Sequence, residues 1–217
     1  MSDPDLRPYV EQTLLRTDAT ATEVRAFTED ALAAGFAAVC VVPARVAEAA
    51  AVLRGHPVAL VTTAGFPHGT ATSDGKAFEA ERAWGAGATD VDFVLHPGAV
   101  KDGNWKAVER EFTLLRGAVP EARLKVILET GLLGEDEIRR ACALAVESGL
   151  DFVKTCTGYG PRGATVEDVR LLRAAVGDRC RVKASGGIRT REQALALVAA
   201  GADRLGTSRG RELLGTA

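Results

Sequence analysis

The sequence predicts a single α/β domain over residues 1–217, folded as a closed (β/α)8 barrel of the TIM type. Three observations carry that prediction. Short apolar runs alternate with segments of helical periodicity along the whole chain, the pattern of a parallel sheet with helical crossovers. Eight such pairs can be counted, and 217 residues suit a barrel near the lower limit of its usual size. A doubly wound open sheet is the alternative. It would place a glycine-rich phosphate turn after its first strand, and none is found there.

The elements follow in order. Val10 to Leu15 reads as the first strand. Thr20-Ala21-Thr22-Glu23 matches a capping box, and Val24, Phe27, Ala31 and Leu32 continue at helical spacing until Gly35. The continuous apolar run Ala37 to Val42 fits a strand covered on both faces. Pro43 opens a helix through Leu53, and Val58 to Ala64 is the third strand. Ser73 to Trp84 is the next helix, closed by Gly85 and Gly87. Strands at Asp90–His96 and Leu124–Thr130 each precede a helix, Asn104–Leu115 and Glu135–Glu147. The sixth strand, Asp151-Phe152-Val153-Lys154, runs into Thr155-Cys156-Thr157-Gly158, with its helix at Val166–Val176. The Lys183 strand leads to a second capping box, Thr190-Arg191-Glu192-Gln193. Ala202–Thr207 is the last strand and Ser208–Leu214 the last helix.

Composition narrows the function. The formal net charge is -2, with both signs spread along the chain, so no basic block points to nucleic acid. No apolar segment approaches the roughly 20 residues of a membrane-spanning helix, and the start, Met1-Ser2-Asp3-Pro4-Asp5, lacks the pattern of a signal peptide. Cys40, Cys142, Cys156 and Cys180 form no Cys-x-x-Cys pair and fit reduced thiols of a cytoplasmic protein. The three histidines show no metal-ligand spacing, so no metal site is expected.

Chemistry concentrates on two lysines. Lys154 lies in the apolar run Phe152-Val153-Lys154, and Lys183 takes the same place in Val182-Lys183-Ala184. One lysine in an apolar strand is most simply a snorkelling or ion-paired side chain. Two, near the ends of successive inner strands, depress each other's pKa while desolvation adds to the effect. A lysine shifted down in this way is an amine nucleophile, which points to Schiff-base chemistry. Asp92, among Val91, Phe93 and Val94, is costly there unless it pairs with a lysine or works as an acid–base group. Glu129 and Thr130 read as structural.

Active sites of such barrels lie at the carboxyl ends of the strands, and phosphate sites are often built from the seventh and eighth loops. Ser185-Gly186-Gly187 and Gly206-Thr207-Ser208 occupy those places, and Thr157-Gly158 beyond Lys154 offers a third wall. Each alone reads equally well as a tight turn; together they favour an anion site.

These residues carry a resemblance. Thr13-Leu14-Leu15, Gly65-Phe66-Pro67, Lys125-Val126-Ile127-Leu128-Glu129-Thr130, Asp151-Phe152-Val153-Lys154-Thr155 and Val182-Lys183-Ala184-Ser185-Gly186-Gly187-Ile188-Arg189-Thr190 occur in order. With them the chain resembles the deoxyribose-phosphate aldolases of the short bacterial type. The resemblance implies a class I aldolase cleaving 2-deoxy-D-ribose 5-phosphate to acetaldehyde and D-glyceraldehyde 3-phosphate, in deoxyribonucleotide catabolism. It implies Lys154 as Schiff-base nucleophile, and Asp92 and Lys183 as proton donors and acceptors. Thr157, Gly158, Gly186, Gly187, Gly206, Thr207 and Ser208 become phosphate contacts, with Glu11 and Thr155 in support. No metal or organic cofactor is implied. The expected partner is a small phosphosugar, with no nucleic acid and no membrane, in a cytoplasmic homodimer. Another phosphosugar barrel enzyme, transaldolase-like or an isomerase, and a silent phosphosugar-binding barrel are the alternatives.

The chain departs from the family pattern at five places. Glu11-Gln12-Thr13 stands for Asp-His-Thr, Cys156 for a serine, His96 for an asparagine and Arg209 for the second serine of the phosphate turn. A helpful C-terminal tyrosine of longer members is not expected, since the sequence ends at Ala217.

Overall fold

A computed structural model describes residues 4–215. Eight parallel strands close into a barrel in sequence order, with β1 paired to both β2 and β8. They are β1 Val10–Leu14, β2 Ala38–Val41, β3 Ala59–Ala64, β4 Asp90–Val94, β5 Arg123–Ile127, β6 Phe152–Lys154, β7 Arg181–Ser185 and β8 Arg204–Thr207. The principal outer helices are α1 Ala21–Ala34, α2 Val46–Leu53, α3 Ser73–Gly85, α5 Trp105–Ala118, α6 Glu135–Glu147, α7 Val166–Val176 and α8 Arg191–Ala199. Two shorter helices, α4 Pro97–Lys101 and α9 Gly210–Leu213, complete the α-helices among the described residues, and 3-10 turns lie at Arg7–Tyr9, Pro43–Arg45 and Thr130–Leu132.

The caps read from the sequence are present. Thr20 accepts from the Glu23 N–H, and the Glu23 carboxylate accepts from the Thr20 N–H. Thr190 and Gln193 do the same for α8. Gly35 ends α1 at φ 73°, where a Cβ would be strained.

Strand alternation sends β4 side chains both ways. Val91 and Phe93 face the helices, where Phe93 meets Phe112 of α5 edge to face at 5.6 Å. Asp90 and Asp92 point into the barrel, where both bond to lysines. The register then does the positioning. Asp92 is the direct partner of Lys125 on β5, and Lys154 of Lys183 on β7.

Several boundaries differ from the sequence reading. The β5 strand stops at Ile127 because Glu129 turns to φ 53°, a left-handed conformation rarely adopted by a non-glycine residue. Pro43–Arg45 is a single 3-10 turn ahead of α2 rather than part of it. Helix α4 was not anticipated, because His96 is not an obvious cap; its Nδ1 accepts from the Ala99 N–H at 3.1 Å. The last helix is shorter than expected, starting at Gly210 because residues 208 and 209 are held in a turn.

Candidate active site

Three lysines and three carboxylates meet inside the barrel. Asp92 lies at the centre, fully buried. Its Oδ2 accepts from Lys154 Nζ at 2.8 Å and from Lys183 Nζ at 2.7 Å. Its Oδ1 makes no hydrogen bond among the described residues but sits 3.1 Å from Lys125 Nζ as an ion contact. Lys183 also pairs with Glu11. Lys125 donates to Asp90 Oδ2 at 2.7 Å and lies 3.6 Å from Glu11. Burying single charges this deeply would be prohibitive, and mutual pairing is what makes the cluster possible.

The pairing is unequal, and that sorts the lysines. Burial pushes the Lys154 pKa down; its pairing with Asp92 opposes this, repulsion from Lys183 adds to it, and the net direction is down. Burial also works against charge on Lys183, but Asp92 and Glu11 together drive its pKa well above the ordinary lysine value. Lys125 likewise ends above its ordinary value, because Asp92, Glu11 and Asp90 outweigh its burial. Asp92 would be raised by burial, yet the pull of Lys125, Lys154 and Lys183 holds it well below the carboxylate range. The expected mutual depression of two lysines is therefore corrected to a one-sided one. Lys183 has a carboxylate in Glu11 that Lys154 lacks.

Above the cluster opens a cavity of about 520 Å³. Of the six charged groups, Lys154 alone lines it. Its other walls include Thr157 and Gly158 after β6, Gly186 and Gly187 after β7, and Gly206, Thr207 and Ser208 on β8 and its turn. The turns fit together only as glycines. A Cβ on Gly163 would lie 2.3 Å from the Gly186 carbonyl oxygen, and Gly186 itself sits at φ 91°. The N–H groups of Gly187 and Ser208 have no acceptor among the described residues, which suits a cradle for an anion.

Two hydroxyls assigned to phosphate from the sequence are already engaged. Thr157 donates to Glu129 Oε2, and Glu129 also accepts from the Thr157 N–H at 3.1 Å. Thr207 donates to the Ile188 carbonyl at 2.9 Å and accepts from the Arg209 N–H at 3.0 Å. Both fasten the walls of the cavity. Thr155 is a fastener too, exchanging hydrogen bonds with the Ser185 backbone on β7. Glu129, read as structural from the sequence, braces Thr157 through Oε2, while its buried Oε1 has no partner among the described residues.

The departures fall in different places. Glu11 reaches Lys183 directly. Cys156 is buried beside Thr130 Oγ1 at 3.4 Å, and Arg209 lines the cavity. His96 lies outside that cavity, at the α4 cap.

Sequence reasoning missed Lys125 and Asp90. Lys125 stands in the apolar run Leu124-Lys125-Val126-Ile127-Leu128, the same signal that exposed Lys154 and Lys183. Asp90 shares its strand face with Asp92, two residues away.

Known proteins resemble this chain in sequence and fold. The family model described as "DeoC/LacD family aldolase" matches residues 9–214. A deoxyribose-phosphate aldolase of Thermus thermophilus is 48% identical over 210 residues, covering 97% of this chain and 96% of that protein. One from Deinococcus radiodurans is 45% identical over 205 residues, covering 94% and 93%. A solved deoxyribose phosphate aldolase from Aeropyrum pernix, described as a unique tetramer, superposes with a TM-score of 0.88 at 32% identity, covering 97% of this chain and 89% of that one. With a buried lysine at the carboxyl end of a barrel strand and a match over nearly its whole length, the chain belongs to the DeoC/LacD aldolase family.

Proposed function

We propose that this chain is a class I aldolase that cleaves 2-deoxy-D-ribose 5-phosphate to acetaldehyde and D-glyceraldehyde 3-phosphate, in the breakdown of deoxyribonucleotides. The observation that carries the reading is the sorting of the lysines. Lys154 is both the one whose charge the site disfavours and the one that lines the cavity.

Neutral Lys154 attacks the aldehyde carbon of the open-chain sugar. Loss of water gives an iminium ion, which withdraws electrons as the bond between the second and third carbons breaks and the hydroxyl on the third carbon gives up its proton. The phosphorylated aldehyde leaves, and the enamine on Lys154 is protonated and hydrolysed to acetaldehyde. Asp92, 2.8 Å from Lys154, and Lys183, 2.7 Å from the same oxygen, handle the protons through water in the cavity. Glycine turns at 186–187 and 206–208 hold the phosphate, with Thr157 and Gly158 forming the opposite wall. That remote binding positions the reacting end.

The chain acts as one domain, in the cytoplasm, as a homodimer; light scattering of the purified protein tests the assembly. Borohydride trapping with 2-deoxyribose 5-phosphate, followed by peptide mass spectrometry, tests the chemistry. The expected adduct is confined to Lys154, and Lys154→Met loses it along with at least about a thousandfold in turnover. An adduct on Lys183, or none while ligand binds, overturns the assignment.

A further inference from the structure

We propose that Gln12 is a positioning residue for phosphate recognition, an inference that rests on the reading of the 206–208 turn as part of the phosphate site. Gln12 is 5% exposed and pairs in register with Thr207 of β8. Its side chain reaches past that strand to the turn beyond. Oε1 accepts from the Gly210 N–H at 2.9 Å, and Nε2 donates to the Ser208 carbonyl at 3.5 Å. One amide thus holds both ends of the segment 208–210 by a donor and an acceptor, a pairing that neither a carboxylate nor an apolar side chain reproduces.

The fit around it is close. A Cβ on Gly210 would fall 2.5 Å from Gln12 Oε1 and 2.8 Å from Phe36 Cζ, so the turn rests directly on the glutamine and the ring behind it. Thr207 locks the same turn to the seventh loop through the Ile188 carbonyl. The Ser208 N–H, left without an acceptor among the described residues, sits between these two fixed points. Its direction is therefore set by Gln12 on one side and Thr207 on the other. The neighbouring residue Glu11 faces the opposite way and pairs with Lys183. Strand β1 carries the cluster on one face and the turn on the other, so the reacting end and the phosphate end are referred to the same backbone.

The test compares wild type with Gln12→Met, which keeps length and volume without polar atoms. Kinetics are measured on 2-deoxyribose 5-phosphate and on 2-deoxyribose, and inorganic phosphate binding is measured by calorimetry. The expected result is a fall of about five- to tenfold in the preference for the phosphorylated sugar, the scale of one neutral hydrogen bond. It should be carried by KM rather than kcat, with a matching loss of phosphate affinity. Equal losses on both sugars, or unchanged phosphate affinity in folded Gln12→Met, overturn the proposal. Should that variant not fold, Gln12→Glu keeps the acceptor for Gly210 and sets a carboxylate against the Ser208 carbonyl. It is expected to lower the same preference, and an unchanged preference counts against the proposal. Wild type that turns over neither sugar overturns the aldolase reading instead, and the phosphate titrations then decide the role of Gln12 alone.

Discussion

Replacing Lys183 by methionine keeps the shape of a long side chain and removes one buried charge beside Lys154. The two ammonium nitrogens share Asp92 Oδ2 at 2.8 and 2.7 Å, so they lie within about 5.5 Å of each other. At an effective dielectric of about 20, their repulsion is about 3 kcal/mol. Removing it favours protonated Lys154 by about a hundredfold at neutral pH. Glu11, released from Lys183, pulls in the same direction, so this figure is a lower bound. The assay is the pH dependence of kcat/KM for cleavage, read by release of D-glyceraldehyde 3-phosphate, with the rate of borohydride trapping alongside. Lys183→Met is expected to lose about a hundredfold or more at pH 7 and to regain activity as rising pH deprotonates Lys154. A loss of equal size at every pH would refute the electrostatic argument and leave Lys183 as a proton carrier only.

Further predictions follow from the same contacts. Lys125→Met strips the partner from Asp90 and Asp92 in the barrel interior and is expected to cost about 3–5 kcal/mol. For a chain of this size that is roughly 10 °C in Tm, and an unchanged Tm would show that the cluster re-pairs without it. Asp90 and Asp92 both have lowered pKa values, so the unfolded chain binds protons more readily than the folded one. Their contribution to stability is present above about pH 4 and is lost as pH falls through the lower folded values. Urea midpoints at pH 3 and 6 check this, and Asp90→Asn should flatten the difference. Gly163→Ala drives a methyl group to 2.3 Å from the Gly186 carbonyl and should raise KM for the phosphorylated sugar by about tenfold or more. Kinetics equal to wild type would mean the turn yields freely.

The barrel was legible because alternation and caps are local. Thr20, Gly35 and Thr190 mark helix ends by chemistry that needs no tertiary context. Lys154 and Lys183 stood out because lysine in an apolar run has few uses. Lys125 carried the same mark and was passed over as part of a strand motif. Its meaning depends on register, which sets it opposite Asp92 and is fixed only when the barrel closes. The partners of the Thr157 and Thr207 hydroxyls were hidden for a related reason. A hydroxyl beside a glycine turn suits phosphate in sequence, but the structure supplies nearer partners in Glu129 and Ile188. Gln12 stood out only as a departure from the family pattern, and its role was not readable because its partners lie 196 and 198 residues away.

The balance of charge inside the barrel has a consequence for the intermediate. Glu11, Asp90 and Asp92 face Lys125, Lys154 and Lys183, three negative groups against three positive ones. When Lys154 gives up its proton to become a nucleophile, the interior is left one positive charge short. Formation of the iminium ion returns that charge within reach of the oxygen that held the ammonium. The protein need not rearrange to receive it, because Asp92 is already fixed by Lys125 and Lys183. The resting ion pair thus serves as a mould for the covalent intermediate, and the neutral aldehyde end of the sugar phosphate is drawn into the chain's chemistry by a vacancy of charge rather than of space.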